Sequence, residues 1–327
     1  MISATAPGKL ILFGEHAVVY GRPALAIPLL QVGVTVMIEL AGPDPASSHS
    51  STSDSQNWLE HISITAPDIG RYGTLASYAS KPEPDPIAAA IGNLFSALGV
   101  TTPPAMRIHI TSSIPVASGL GSGAAVSVAL IRALATSLGK TLSDEQVNQL
   151  AFETEKLYHG TPSGIDNTVI TYARPVYFVK NLPLETFSVG APFTLVIADS
   201  GIIAATHESV GDVRKLWQAE PVRLEKIFSS IANIVDQARL AIQTGDINFL
   251  GPLMNQNHSL LQELTVSSPE LDRLTAAALS CGALGAKLSG GGRGGNMIAL
   301  VQPETAPAIA VALRDAGARG TIITQVS

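Results

Sequence analysis

The chain has 327 residues, with 20 lysines and arginines against 26 aspartates and glutamates, a formal net charge of −6. That length accommodates about two domains, and an acidic balance with no basic run and only 5% aromatic residues argues against nucleic acid as a partner. Charged residues are only 14% and mean hydropathy is +0.29, yet the longest apolar helical stretch, residues 124–138, contains Arg132 and falls short of the roughly 20 residues that span a bilayer. No transmembrane helix is expected, and MISATAPGKLILFGEH at the start reads without the basic leader and unbroken apolar stretch of a secretory signal. The one cysteine, Cys281, has no disulfide partner and no C-x-x-C neighbour. It reads as a buried small hydrophobe in a cytoplasmic protein.

Residues 10–40 read as a β-hairpin, from the alternation in VGVTVMIEL and the turn residues at 21–23. A serine-rich polar connection follows at 41–57, then KPEPDP at 81–86 and an apolar helix over 87–98. A short strand at 106–110 leads through SSIPVASGLGSGAA into a helix ending near 138. Ser143 with Gln146 three residues on forms a capping box for the next helix, whose apolar face is Val147, Leu150, Ala151 and Leu157 and which Gly160 ends. PVYFVK at 175–180 is a strand, and a polar, proline-containing connection at 181–192 resets the pattern, dividing the chain into domains 1–187 and 188–327. TLVIADSG opens the second part as a strand. Helical patterns over 210–264 and 269–280 come next, then strands ALGAKLS and NMIALV around a glycine loop, a helix over 304–316 and the strand GTIITQV. Strands and helices alternate as in a compact α+β protein.

Three places carry the chemistry. In residues 112–125, SSIPVASGLGSGAA, Gly119, Gly121 and Gly123 allow successive N–H groups to turn inward as an anion nest. The helix that starts there adds its positive end, which suits a phosphate chain, with an ordinary tight loop before a helix as the plainer alternative. GLGSGA also fits G-x-G-x-x-A, but PVAS separates it from the preceding strand and no acidic residue ends a second strand about 20 positions on, so a dinucleotide fold fits poorly. No Lys-Ser/Thr pair follows the glycines, so this is not a Walker A loop. A second loop, KLSGGGRGGNMIAL at 287–300, holds five glycines around Arg293, an arrangement suited to close backbone approach of a ligand and a fixed fork of donors for phosphate; a surface hairpin with a solvated arginine is the plainer alternative.

The third constellation is split between APGKLILFGEHAVVYG at 6–21 and EKLYHGTPSGIDN at 155–167. Lys9 sits in an apolar strand, Glu15 and His16 follow Gly14 where that strand turns, and Asp166 follows a constrained Pro-Ser-Gly turn with Glu155 on the helix before it. Lone charges in apolar surroundings are expensive unless paired or working. One carboxylate for a metal, one to take a proton and a nearby lysine suit phosphoryl transfer from Mg-ATP, with a structural Lys9–Asp166 ion pair and a hydrogen-bonded core histidine as the simpler readings.

Taken together, these segments resemble the GHMP kinase superfamily over almost the whole chain. Gly14-Glu15-His16, the PSGID turn and ADSGIIAATHESVGDVR at 198–214 look most like its archaeal and bacterial mevalonate kinase branch. The resemblance implies an α+β, two-domain fold: an N-terminal domain with a left-handed β-α-β unit and a ferredoxin-like C-terminal domain, with the active site in the cleft between them. It implies ATP and Mg²⁺ as cofactors and mevalonate as the small-molecule substrate, phosphorylated on its 5-hydroxyl in isoprenoid synthesis, with neither nucleic acid nor membrane as partner; a homodimer is compatible with it. Asp166 would be the catalytic base or charge partner for the attacking hydroxyl, and Lys9 would lower that hydroxyl's pKa and stabilise the transferring charge. Pro115, Val116, Ala117, Ser118, Gly119, Leu120, Gly121, Ser122 and Gly123 would wrap the ATP phosphates, and Glu155 with Ser122 would hold the metal. Glu15, His16, Thr206, Gly291 and Arg293 would bind substrate. Two departures stand out: Gly123 replaces a serine that is usual in the family and commonly a magnesium ligand, and in the last loop Gly291, Arg293 and Asn296 replace alanine, glycine and cysteine. Arg293 is then expected to supply charge that offsets weaker metal binding. A kinase for another small hydroxy acid or phosphorylated mevalonate, and a non-catalytic nucleotide-sensing relative, are the competing readings.

Overall fold

In the computed structural model, which describes residues 1–41, 57–81, 83–115, 119–159, 162–183, 185–204 and 206–327, the period-two stretches are strands and the 3.6-period stretches helices. The order begins β1 (Ile2–Phe13), β2 (Ala24–Leu40), β3 (Ile62–Ala66), β4 (Arg71–Thr74), α1 (Leu75–Ala79), α2 (Pro86–Leu98), β5 (Met106–Ser112), α3 (Ser122–Ser137), α4 (Asp144–His159) and α5 (Ile165–Tyr172). It continues β6 (Val176–Phe178), β7 (Glu185–Thr186), β8 (Phe193–Asp199), α6 (Thr206–Ala219), α7 (Pro221–Thr244), α8 (Leu250–Glu263), α9 (Pro269–Ser280), β9 (Gly285–Ser289), β10 (Asn296–Val301), α10 (Ala306–Asp315) and β11 (Gly320–Val326). The chain forms two compact units, one from Met1–Gly8, Val32–Val116 and Gly121–Ala173, the other from Lys9–Gln31, Ala117–Leu120 and Arg174–Ser327. The expected connection at 41–57 falls almost wholly outside the described residues, as do Val116, Ala117, Ser118 and Gly160.

In the first unit β4 pairs antiparallel with β3, β3 parallel with β5, and β5 antiparallel with Val34–Leu40 of β2. Alternate residues Val34, Val36 and Ile38, Ile62 and Ile64, and Ile108 and Ile110 are at most 3% exposed, the one-faced burial that alternation predicts. Helices α2 to α5 pack on one another, and polar side chains fix their ends. Asp85 caps α2 through the Ile87 N–H at 3.0 Å and pairs with Arg71 at 2.6 Å and Lys81 at 2.9 Å. The capping box forms as expected: the Gln146 N–H donates to Ser143 Oγ at 3.2 Å and the Ser143 N–H to Gln146 Oε1 at 2.9 Å. The apolar face of α4 differs from expectation. Leu157 is exposed and Thr154 is buried with Val147 and Ala151, because the i, i+4, i+7 stripe runs 147–151–154. The Thr154 hydroxyl donates to the Leu150 carbonyl at 3.0 Å and accepts from Asn93 Nδ2 at 3.2 Å, so its burial leaves no polar atom unpaired.

The second unit carries a four-stranded antiparallel sheet in the order β11-β8-β10-β9. Counted from β8 this is 4-1-3-2, the split β-α-β arrangement of a ferredoxin-like domain. The inner strand β10 is buried along its whole length, and α8, α9 and α10 pack against the sheet. Cys281 is exposed rather than buried: α9 ends at Ser280, and the chain turns at Cys281 and Gly282 before the helix face that covers the sheet can continue. Among the described residues no helix is long and apolar enough to cross a membrane.

Helix α8 lies against the outer edge of β9 and takes the place of a neighbouring strand. The Ala286 N–H donates to Asn255 Oδ1 at 2.9 Å and the Leu288 N–H to His258 Nδ1 at 3.3 Å, satisfying groups an edge strand would leave unpaired. Glycines permit the approach: a Cβ on Gly251 would stand 2.2 Å from the Leu284 carbonyl oxygen. Alanine normally stabilises a helix interior by about 1 kcal/mol over glycine. Gly251→Ala is therefore expected to reverse that sign and lower the melting temperature, whereas Gly92→Ala on the exposed face of α2, where a Cβ meets nothing within 4 Å, should raise it. Thermal denaturation of the two variants beside the parent checks both signs.

Candidate active site

The first unit brings three predicted residues onto three mutually packed helices: Ser122 opens α3, Glu155 lies near the end of α4, and Asp166 is in the first turn of α5. Gly121 caps α3 from the left-handed region at φ 79° with no side-chain acceptor, so the helix begins with N–H groups directed at whatever anion sits there. Gly119 is also left-handed at φ 71°; Gly123 is exposed, and a Cβ there would meet nothing within 4 Å. Pro115 is exposed just before residues 116–118.

The helix carrying Asp166 is only eight residues long and is held from both sides. Asn167 Nδ2 donates to Asn148 Oδ1 of α4 at 2.6 Å, and Arg132 of α3 donates to the Thr171 carbonyl at 2.6 Å and to Asp144 at 2.7 Å. Gly164 caps it at φ 84° without a side-chain acceptor, so the helix dipole favours a carboxylate in its first turn, where Asp166 stands.

The second unit gathers Lys9, Leu120, Glu15, His16, Thr206, Gly291 and Arg293. Lys9 is buried in β1, and its N–H donates to the Leu120 carbonyl at 2.9 Å. Glu15 and His16 are buried in the turn after β1. The Glu15 carboxylate forms an ion pair through Oε1 with the fully buried Lys287 ammonium of β9, and Oε2 accepts from Asn257 Nδ2 of α8 at 3.2 Å. Lys287 also donates to the Leu288 carbonyl at 2.6 Å. Burial pushes the Lys287 pKa down, and the adjoining Glu15 opposes that fall.

His16 has a left-handed backbone, φ 59°, and its Nε2 stands 3.0 Å from the Gly291 carbonyl. A carbonyl only accepts, so Nε2 carries the proton and Nδ1 is a lone-pair acceptor. Burial lowers the His16 pKa to about 4, with Arg293 adding to the fall, which keeps the ring neutral at physiological pH. The glycine loop is anchored rather than loose. Ser289 donates to the Ile11 carbonyl at 2.7 Å, and the Arg293 N–H to the Val266 carbonyl at 2.7 Å. The Arg293 guanidinium donates to Asp212 of α6 at 2.6 Å. Thr206, at the start of α6, faces Gly291 so closely that a Cβ there would lie 2.9 Å from its hydroxyl.

Lys287 and Asn257, which hold the Glu15 carboxylate, are the residues that sequence reasoning missed, although a lysine inside the apolar strand ALGAKLS is the same signal that singled out Lys9. Removing one partner of a buried pair strands the other's charge, at a cost of about 3–5 kcal/mol. Lys287→Met is expected to lose stability on that scale and Lys287→Met with Glu15→Gln clearly less, as read by urea unfolding. Equal losses in the two would show that the pair's charges do not interact.

Family models for the GHMP kinases N terminal domain and the GHMP kinases C terminal match residues 85–174 and 238–319. The mevalonate kinase of Thermococcus sibiricus is 36% identical, covering 100% of this chain and 96% of that protein, and the mevalonate kinase of Pyrococcus horikoshii is 35% identical over 95% and 92%. Among solved structures, the L. major mevalonate kinase in complex with R-mevalonate superposes with a TM-score of 0.82 at 31% identity, over 99% of this chain and 95% of that one. With the ferredoxin-like sheet and the buried Gly14-Glu15-His16 turn in place, these likenesses settle the lineage: the chain belongs to the GHMP kinase family.

Proposed function

We propose that this chain transfers the γ-phosphoryl group of ATP to the 5-hydroxyl of (R)-mevalonate, giving 5-phosphomevalonate and ADP in the cytoplasm. The observation that carries the reading is the full-length likeness, in sequence and in fold, to a kinase crystallised with R-mevalonate. The acceptor oxygen attacks the γ-phosphorus as its bond to the ADP oxygen breaks, and the hydroxyl proton passes to the Asp166 carboxylate. Lys9 lowers the pKa of that hydroxyl and offsets charge on the transferring group. Residues 115–123 wrap the ATP phosphates through backbone N–H groups and the positive end of α3. Glu15, His16, Thr206, Gly291 and Arg293 hold the acceptor, His16 as a neutral ring. Catalysis of this kind is mostly positioning and electrostatic stabilisation.

Mg²⁺ is commonly held by one or two carboxylates together with substrate phosphates and water. That suits one carboxylate, Glu155, and one hydroxyl, Ser122, on helices that pack together, with no cluster of three or more His, Cys, Asp or Glu side chains among the described residues. When bound, the ion neutralises charge on the β- and γ-phosphates. Because Gly123 has open space where a side chain would stand, Gly123→Ser is expected to add an oxygen ligand without strain. It should reduce the Mg²⁺ needed for half-maximal rate at fixed ATP, by a factor of about 2–5, the scale of one weak ligand; an unchanged Mg²⁺ curve would remove this position from the metal site.

Coupled ADP release with mevalonate, phosphomevalonate and homoserine in parallel tests the acceptor. Mevalonate should give the highest kcat/KM, and preference for either other acceptor would overturn the reading. Asp166→Asn should keep nucleotide binding and the melting temperature while kcat falls by about 10²-fold or more, the scale of general-base catalysis; a near-normal kcat would take Asp166 out of its role.

A further inference from the structure

The Glu15 carboxylate is buried with both oxygens engaged, Oε1 by Lys287 and Oε2 by Asn257, and neither partner is a residue to which the proposed reaction gives a task. Buried ion pairs are weak sources of stability, since an apolar set of the same shape often serves as well or better. Asn257 adds a further oddity. It is fully buried, its Nδ2 donates to Glu15, and its Oδ1 has no hydrogen-bond partner among the described residues. An unpaired buried carbonyl costs free energy that leucine of similar size would not, so packing alone does not explain an asparagine there. His258, the next residue of α8, is accounted for by the β9 edge, where it accepts the Leu288 N–H, and Asn255 by the Ala286 N–H. Asn257, unlike the other two, bonds to the Gly14–His16 turn rather than to the strand.

We propose that Asn257 and Lys287 are positioning residues that act through Glu15, holding its carboxylate in one orientation for the acceptor. Two donors from different elements, an amide on α8 and an ammonium on β9, take one oxygen each, which fixes rotation about the terminal Glu15 torsion as neither would alone. With that torsion fixed, Glu15 offers the same lone pairs at every encounter, and the acceptor bears no ordering cost at that group. The inference rests on the reading of Glu15 as an acceptor-binding residue given under Proposed function.

A double-mutant cycle of Asn257→Leu and Glu15→Gln tests it, on whichever acceptor the parent protein turns over best in the three-acceptor panel. Asn257→Leu should raise the acceptor KM by about tenfold, the scale of one lost hydrogen bond to a charged group, while the ATP KM stays within about twofold. Its melting temperature should fall by several degrees, since Glu15 Oε2 loses its donor even as the unpaired Asn257 carbonyl is removed, while the KM split between acceptor and ATP carries the test. In the Glu15→Gln background the same change should move the acceptor KM by less than about twofold, because the effect runs through the carboxylate. An acceptor KM unchanged in Asn257→Leu, an equal rise in both backgrounds, or a parallel rise in the ATP KM would each overturn the proposal. If Asn257→Leu does not fold, Asn257→Ala is read in the same cycle by the same criteria. A parent protein that prefers a different acceptor overturns the choice of mevalonate and leaves the cycle to be read on that acceptor; one that turns over none overturns both.

Discussion

A carboxylate and an ammonium placed where water cannot reach them constrain everything built around them. Glu15 and Lys287 are fully or almost fully buried, and the attraction between two such charges offsets their lost hydration only if the geometry is good and every remaining donor and acceptor is met. That requirement explains features that look unrelated. β1 must end in a turn tight enough to bring Glu15 inward, and Gly14 permits it with φ 97° and its α-carbon against the Pro23 carbonyl and Ala24. β9 must present Lys287 at a sheet edge without leaving that edge open, and α8 closes it with Asn255 and His258. α8 can come that near only because Gly251 and Gly285 face each other without side chains. The His16 and Gly291 contact ties the glycine loop to the same turn, and the Ser289 and Ile11 bond ties it to the end of β1 that leads into that turn.

The first unit solves a different problem with little charge. At the start of α3 it places a helix N-terminus capped by a left-handed glycine, where backbone N–H groups and the helix dipole offer the positive field that lysines or arginines would otherwise supply. Asparagines and one arginine tie α3, α4 and α5 together, and these bonds fix the helices that carry Ser122, Glu155 and Asp166. An acidic chain with only 14% charged residues can therefore carry a polyanion site, provided glycine stands where the backbone must turn. Thirteen of its 29 glycines fall in the motif segments 6–21, 119–125, 160–167 and 287–300, so the glycine excess is concentrated in those motifs.

Much of this was legible in the sequence where the signal is local. The Ser143 and Gln146 box, the strands NMIALV and GTIITQV and the helix over 269–280 follow from spacing and turn residues alone, and all appear at or near the expected bounds. Apart from Cys281, the failures share a cause, which is that burial is decided by a partner distant in sequence. Leu157 is apolar but lies off the stripe that the neighbouring helices cover, and Thr154 takes the buried place because Asn93, 61 residues away, pairs with its hydroxyl. Cys281 sits one residue past the end of a covered helix. Asn257 and Lys287 are separated by 242 and 272 residues from Glu15, and no periodicity links positions that far apart.

The arginine in the last glycine loop shows how a composition-level argument changes once partners are known. In an acidic, charge-poor chain a lone arginine among five glycines invites the role of phosphate counter-charge. Its guanidinium is bonded to Asp212, and Asp212 also accepts from Lys215, which together hold that carboxylate below its usual pKa. A cation already paired presents a weaker field to a third group than a bare one, so an incoming phosphate must compete with Asp212 rather than simply meet a free charge. The backbone of Arg293 is fixed as firmly as its head, left-handed at φ 58° and bonded to the Val266 carbonyl. Arginine at this position therefore couples the glycine loop to α6, the helix that begins with Thr206, and any contribution it makes to binding passes through the position of that helix as well as through its own charge.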